Sequence, residues 1–195
     1  MRVKHSFVIS LSDERIKRFA NINNVSIFRA TDTRNISIKD ICKIPTSVGD
    51  FSFDMCSVEE YKNYFMNNNG AIGCYISHVN LLSEIGKMND NSWYLVLEDD
   101  INVIHLSRLL REYKNFNNLN YINLNYRGPN GSEAYAVRPS AAREIIKLID
   151  KKITYPIDKL LFSVLLDSYI ENEIIKFAHF KKIGLAPCSK ITTLK

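Results

Sequence analysis

Three consecutive carboxylates, Glu98, Asp99 and Asp100, directly follow the apolar run Trp93-Tyr94-Leu95-Val96-Leu97. Like charges this close repel one another, and a cation is the ordinary remedy. Glu98 and Asp100 have the spacing of a D-x-D pair, which on an extended backbone points alternate side chains the same way and suits a hard, oxygen-seeking ion that bridges phosphates. Mn²⁺ or Mg²⁺ is the ion expected. The competing reading is an acidic strand end that caps the next helix in solvent. A second stretch, Gly70-Ala71-Ile72-Gly73-Cys74-Tyr75-Ile76-Ser77-His78, opens a helix with two glycines, which lets a phosphate or another backbone come close to the helix N-terminus. Ser77 and His78 follow within two turns, where a single His also serves as a hydrogen-bonded packing residue. Asp158, after Tyr155-Pro156-Ile157, stands where a helix N-cap would.

These residues need elements to hold them. The Trp93 to Leu97 run lacks polar alternation, which predicts a strand covered on both faces, as in the middle of an α/β sheet. The segment from Ala71 to Met88 places Ile72, Tyr75, Ile76, Val79, Leu82 and Ile85 at helical spacing and predicts a long core helix. Strands are expected at Phe7 to Leu11, Val25 to Arg29, Tyr121 to Leu124 and Ala134 to Val137. Helices are expected at 14–19, after a capping box at Ser57 to Glu60, at Leu106 to Phe116, at Pro139 to Asp150 and at Ile157 to Tyr169, with 31–53 irregular. Alternating strands and helices define an α/β class with a mixed, mostly parallel sheet flanked by helices, and ligands gather at the carboxyl ends of such strands.

The 195 residues suit one domain, 1–195, with 46% hydrophobic and 24% charged residues, which excludes disorder, collagen and coiled coil. The longest apolar runs fall short of the roughly 18 residues a membrane-spanning helix needs, and no secretory leader is evident. A cytoplasmic protein is the expectation. The net charge of +5 comes from scattered basic residues. It is compatible with an anionic small substrate or peripheral contact with the cytoplasmic membrane face, and not with the dense basic cluster of a nucleic-acid binder. Cys42, Cys56, Cys74 and Cys188 form no C-x-x-C pair and no neighbouring His is read at zinc-site spacing, so neither a zinc ribbon nor a redox motif is expected, and all four are expected to be reduced, mostly buried thiols.

The order and spacing of the blocks resemble glycosyltransferase family 25, which includes lipooligosaccharide and procollagen galactosyltransferases. FVISLSDERIKRF (7–19) and FRATDTR (28–34) are similar to that family's first strand, Arg-containing helix and A-x-D-G-R segment. NGAIGCYISHVNLLSEI (69–85) is similar to its G-E-I-G-C-x-x-S-H block, and YLVLEDDI (94–101) to its L-x-L-E-D-D metal motif. YINLNYRG (121–128), GSEAYAVRPSAAREII (131–146) and YPIDKLL (155–161) resemble its later blocks, the last of them P-[VI]-D. Thr33, Ala71 and Glu133 differ from the residues usual in the family, namely Gly, an acidic residue and His.

The resemblance implies a single GT-A-like nucleotide-sugar-binding domain that transfers a hexose, most often galactose, from a UDP-sugar to a hydroxyl on a glycan, glycolipid or glycoprotein acceptor, with inversion, as in lipopolysaccharide biosynthesis. It implies that Asp100 and Glu98 hold the metal, with Glu98 or Asp99 also at the ribose. Ser77 and His78 then line the donor pocket, Arg15 and Asp32 contact the nucleotide, and Asp158 becomes the base or a second metal partner. Cys74 is expected to pack. Two other readings use the same residues: a GT-fold protein without turnover that binds sugar nucleotides or glycans, and a metal-dependent phosphoryl-transfer protein, which lacks a G-x-x-x-x-G-K motif here. The oligomeric state is not legible in the sequence.

Overall fold

The computed structural model describes residues 3–41, 43–47, 59–101, 103, 118–124, 131–149, 156–161 and 177–179. Six strands form one sheet: β1 (Val3–Ser10), β2 (Val25–Arg29), β3 (Trp93–Glu98), β4 (Tyr121–Asn123), β5 (Ala134–Val137) and β6 (Phe177–His179), in the order β2-β1-β3-β5-β4-β6. β1 pairs in parallel with β2 and β3, and β4 with β6, while β5 is antiparallel to both β3 and β4. One strand thus runs against the other five, giving the mixed, mostly parallel α/β sheet expected. The expected helix at 106–116, the 157–169 helix beyond residue 161, and Ser57 of the capping box lie outside the described residues.

The apolar run in β3 is covered on both faces. Tyr94 and Val96 join one core cluster with Ile72, Ile76 and Ile145, whereas Trp93, Leu95 and Leu97 join the other with Val8, Phe19 and Ile122. Successive strand residues point to opposite faces, so a strand with no polar alternation requires two layers. The first layer contains α1 (Ile38–Ile41), α2 (Glu59–Met66), α3 (Asn69–Gly86), α4 (Pro139–Leu148) and residues 157–161. Among the described residues, the second contains the 3₁₀ helix at Glu14–Phe19, Ile22, Ile101 and Leu124.

Residues 14–19 form a 3₁₀ helix that has no side-chain cap. Asp13 makes no side-chain cap bond and its carboxylate accepts from Arg29 Nη2 at 2.7 Å. Helix α3 starts where Asn68 caps it, its side chain accepting from the Ala71 N–H at 3.2 Å. At the other end, Arg143 Nη1 of α4 donates to the carbonyl of Gly86 at 2.8 Å, which satisfies one orphan acceptor and locks the two helices together. Pro139 occupies the first turn of α4, and Arg138 before it is extended, as the ring requires.

Candidate active site

The site is assembled where β1 and β3 end and β5 begins. Glu98 is the last residue of β3, and its N–H donates to the Glu133 carbonyl at 2.8 Å, which draws the 131–133 segment over the strand end. Its side chain turns toward α3. Ser132 Oγ donates to Glu98 Oε1 at 2.9 Å, His78 Nε2 lies 3.4 Å from the same oxygen, and Cys74 Sγ lies 4.0 Å away. The other ring nitrogen of His78, Nδ1, is 3.0 Å from Tyr135 Oη. A carboxylate oxygen accepts, so this chain is satisfied when Tyr135 O–H donates to Nδ1 and Nε2–H faces Glu98. Burial pushes the Tyr135 phenol well above its ordinary value, which keeps that proton in place.

Glu98 also lines a pocket of about 350 Å³ with Tyr64, Asn68, Cys74, Ser132 and Asp158. Asp158 comes from the helical residues 157–161. It stands inside the first turn and not at the cap, since the Leu160 N–H donates to the Pro156 carbonyl at 2.9 Å. Burial raises its pKa and the nearby Glu98 charge adds to the rise, against the opposing pull of the Lys159 N–H and ammonium. Two carboxylates from distant parts of the chain therefore face one cavity and sense one another.

The neighbouring carboxylates behave differently. β3 stops at Glu98, and residues 99 and 100 form a turn in which the Ile101 N–H donates to the Glu98 carbonyl at 3.3 Å. Alternation along an extended backbone therefore ends at Glu98. Asp99 swings toward β1, accepting from Ser10 Oγ at 2.6 Å and from Arg15 Nη1 at 2.7 Å. Arg18 Nη1 donates to the Asp99 carbonyl at 2.9 Å and fixes the acidic turn from beneath. Asp100 sits partly buried in the same turn, and neither it nor Asp99 is among the described residues lining the pocket.

Ser77 and Asp32 are placed apart from these groups. Ser77 is buried, its Oγ accepting from the Thr31 N–H at 2.8 Å and donating to the Gly73 carbonyl at 2.6 Å, so it clamps the segment after β2 onto α3. Thr33, also buried, donates to the Asn69 carbonyl in the same clamp. Gly73 makes this contact possible, because a Cβ there would collide with the Thr31 carbonyl and lie 2.6 Å from Thr33 Oγ1. Asp32 faces outward and is held at a pKa of about 2 by hydrogen bonds from Arg34.

Reasoning from sequence left out Arg18, Ser132 and Tyr135 and assigned Cys74 to packing. Cys74 and His78, four residues apart on α3, carried the one available signal, since that spacing puts both on one face. A larger hollow of about 970 Å³ lies at the opposite end of β3, beside the C-terminus of α3, with Met88, Asp90 and Arg143 on its walls. Its cations are engaged: Lys87 with Glu84, Lys147 with Glu144, and Arg143 with the Gly86 carbonyl. Its lining shares no residue with the pocket that holds Glu98 and Asp158.

A mixed α/β sheet with helices on its faces and a carboxylate-lined pocket at the strand ends is consistent with an α/β glycosyltransferase. The model of glycosyltransferase family 25, described as an LPS biosynthesis protein, matches residues 3–125, and the chain belongs to that family. Membership gives it a glycosyltransferase role, with a sugar donor and a glycan acceptor. No curated protein matches the chain. Ser132, Tyr135 and Asp158 lie beyond the matched span, and the structure brings Ser132 and Asp158 to Glu98 and Tyr135 to His78. Among the described residues no helix is long and apolar enough to cross a membrane.

Proposed function

We propose that the chain is one GT-A-like domain, 1–195, which transfers a hexose, galactose first among the candidates, from a UDP-sugar to a hydroxyl of a glycan, glycolipid or glycoprotein acceptor with inversion. The observation that supports this reading best is the shared pocket of Glu98 and Asp158. An inverting transfer needs a base on one side of the anomeric carbon and stabilisation of a leaving diphosphate on the other. Asp158, with its pKa raised by burial and by Glu98, is suited to take the acceptor hydroxyl's proton. The hydroxyl oxygen then bonds the anomeric carbon as the bond to the UDP oxygen breaks.

The pocket fits a hard divalent ion, because Glu98 and Asp158 both line it, the Glu98 charge raises the pKa of Asp158, and a cation beside Glu98 would offset that repulsion. Asp100 and Glu98 would hold Mn²⁺ or Mg²⁺, which would offset charge growing on the departing diphosphate. Arg15, anchored on Asp99 at the end of β1, would reach the nucleotide, with Asp99 and Glu98 near the ribose. Asp32, on the outward side of the segment after β2, would be a second nucleotide contact, and Ser77 and His78 of α3 would line the donor side.

Thermal shift against a panel of UDP-sugars, with and without Mn²⁺, tests this directly. A donor at 100 times its dissociation constant stabilises the fold by about 2.7 kcal/mol. Stabilisation by one UDP-sugar that requires the ion supports the reading, and no shift with any of them refutes it.

A further inference from the structure

Cys74, His78 and Glu98 place a thiol, an imidazole and a carboxylate around one point, with the three ligand atoms within 4.8 Å of one another. Two of them sit one turn apart on α3, and the third comes from the end of β3. Tetrahedral zinc with a Zn–S bond near 2.3 Å and Zn–N and Zn–O bonds near 2.0 Å needs its ligand atoms roughly 3.3–3.6 Å apart. The His78 to Glu98 separation of 3.4 Å already meets that, while the Cys74 to Glu98 separation of 4.0 Å and the Cys74 to His78 separation, within 4.8 Å, must close on the ion by movement of the Cys74 side chain.

The surroundings are those of a supported ligand set. A metal-bound His passes its second ring N–H to an outer partner; with Nε2 on the ion, His78 takes the tautomer opposite to the metal-free one, and Nδ1–H donates to Tyr135 Oη, 3.0 Å away. A ligating carboxylate is itself hydrogen-bonded, and Glu98 accepts from Ser132 Oγ at 2.9 Å. His78 is fully buried, whereas Cys74 and Glu98 both line the pocket. Three protein ligands beside an open cavity leave a fourth position for solvent or for an oxygen of whatever fills the pocket.

We propose that Cys74, His78 and Glu98 bind a borderline-soft divalent ion of the Zn²⁺ class at the wall of the pocket. A thiolate and an imidazole select zinc over manganese or magnesium, which prefer oxygen ligands alone. The site stands whether or not the chain transfers a sugar. It shares Glu98 with the hard-ion reading, and the remaining ligands tell the two apart: Cys74 and His78 belong only to this site, Asp100 only to the other.

Co²⁺ is the probe, titrated into the purified, metal-free full-length chain with Cys oxidation prevented. The expected result is one equivalent bound, with intense tetrahedral d–d bands in the visible and a thiolate-to-cobalt charge-transfer band in the near ultraviolet, both lost when one equivalent of Zn²⁺ is added. Mn²⁺ or Mg²⁺ in about hundredfold excess leaves the spectrum unchanged. Cys74→Ser abolishes the charge-transfer band, Tyr135→Phe weakens Co²⁺ binding by roughly 10 to 100-fold, and Asp100→Ala leaves the spectrum intact. Circular dichroism establishes that each variant is folded, and Glu98→Gln, which keeps the side chain's shape, serves if Cys74→Ser is not. A folded wild type with no charge-transfer band overturns the proposal. So does a band that survives in folded Cys74→Ser, or in folded Glu98→Gln at wild-type affinity.

Discussion

Replacing Gly73 by Ala sets two magnitudes against each other. Alanine is favoured over glycine inside a helix by about 1 kcal/mol, and Gly73 lies in the first turns of an 18-residue helix. The added Cβ, however, would run into the Thr31 carbonyl and stand 2.6 Å from Thr33 Oγ1. The nearest obstacle is backbone, so α3 and the 31–33 segment must separate. Overpacking of this kind costs roughly 1–3 kcal/mol. Separation also weakens the Thr31 N–H to Ser77 and Thr33 to Asn69 hydrogen bonds, at about 1 kcal/mol net for each. Offsetting the helix gain leaves a net loss of about 2–4 kcal/mol, which in a chain of this size lowers Tm by roughly 4–16 °C. Urea and thermal unfolding of Gly73→Ala against wild type measure it. A variant as stable as wild type, or more stable, would mean that the propensity gain wins and that α3 does not dock on Thr31 as described.

Asp158→Asn should lower turnover by about 10² to 10⁴, or roughly 2.7–5.4 kcal/mol of barrier, if Asp158 is the base. Its folded pKa is raised, so the carboxylate's contribution to stability is lost as pH rises through that value. Asn should therefore leave Tm unchanged or higher at neutral pH, with the difference closing as the solution is acidified below the ordinary carboxylate range; a lower Tm at neutral pH would contradict the burial argument. Arg15→Ala breaks an ion pair whose Arg is half-exposed, worth about 0–1 kcal/mol, so its Tm should hardly move while calorimetry shows weaker UDP binding. Equal UDP affinity would remove Arg15 from the donor site. Alkylation and mass spectrometry of natively isolated protein should find all four cysteines as thiols, and a stable disulfide would refute that expectation.

What could be read from the sequence depended on how local the cause was. The β3 run announced two covering layers because Trp93 to Leu97 has no polar face, and the core stripe of α3 followed from spacing alone. β2 and β5 were found at their observed bounds because each is a short β-prone run between breaks. β6 was missed: three residues acquire strand character only through pairing with β4, which no local pattern records. The missing cap at 14–19 was hidden because Asp13, a good cap by type, is drawn to Arg29.

The same division runs through the site. The acidic triplet was visible, but its separation was not, because the strand ends at Glu98 and Asp99 turns back to Ser10 and Arg15. Ser77 and His78 are adjacent in sequence, yet one helix step of about 100° sends one to Thr31 and the other to Glu98. Ser132 and Tyr135 reach Glu98 and His78 because β5 inserts between β3 and β4, a topological fact outside any motif.

Release of UDP from UDP-galactose in Mn²⁺ buffer, followed by chromatography for wild type and Asp158→Asn, tests the pocket most directly. Even without the native acceptor, water should serve slowly as the hydroxyl, so wild type should liberate UDP with the ion present and far less with it chelated, and Asp158→Asn should fall by at least about a hundredfold. No UDP from wild type with UDP-galactose or any other UDP-sugar, in protein shown to be folded, would contradict the account, as would equal release by the Asp158→Asn variant.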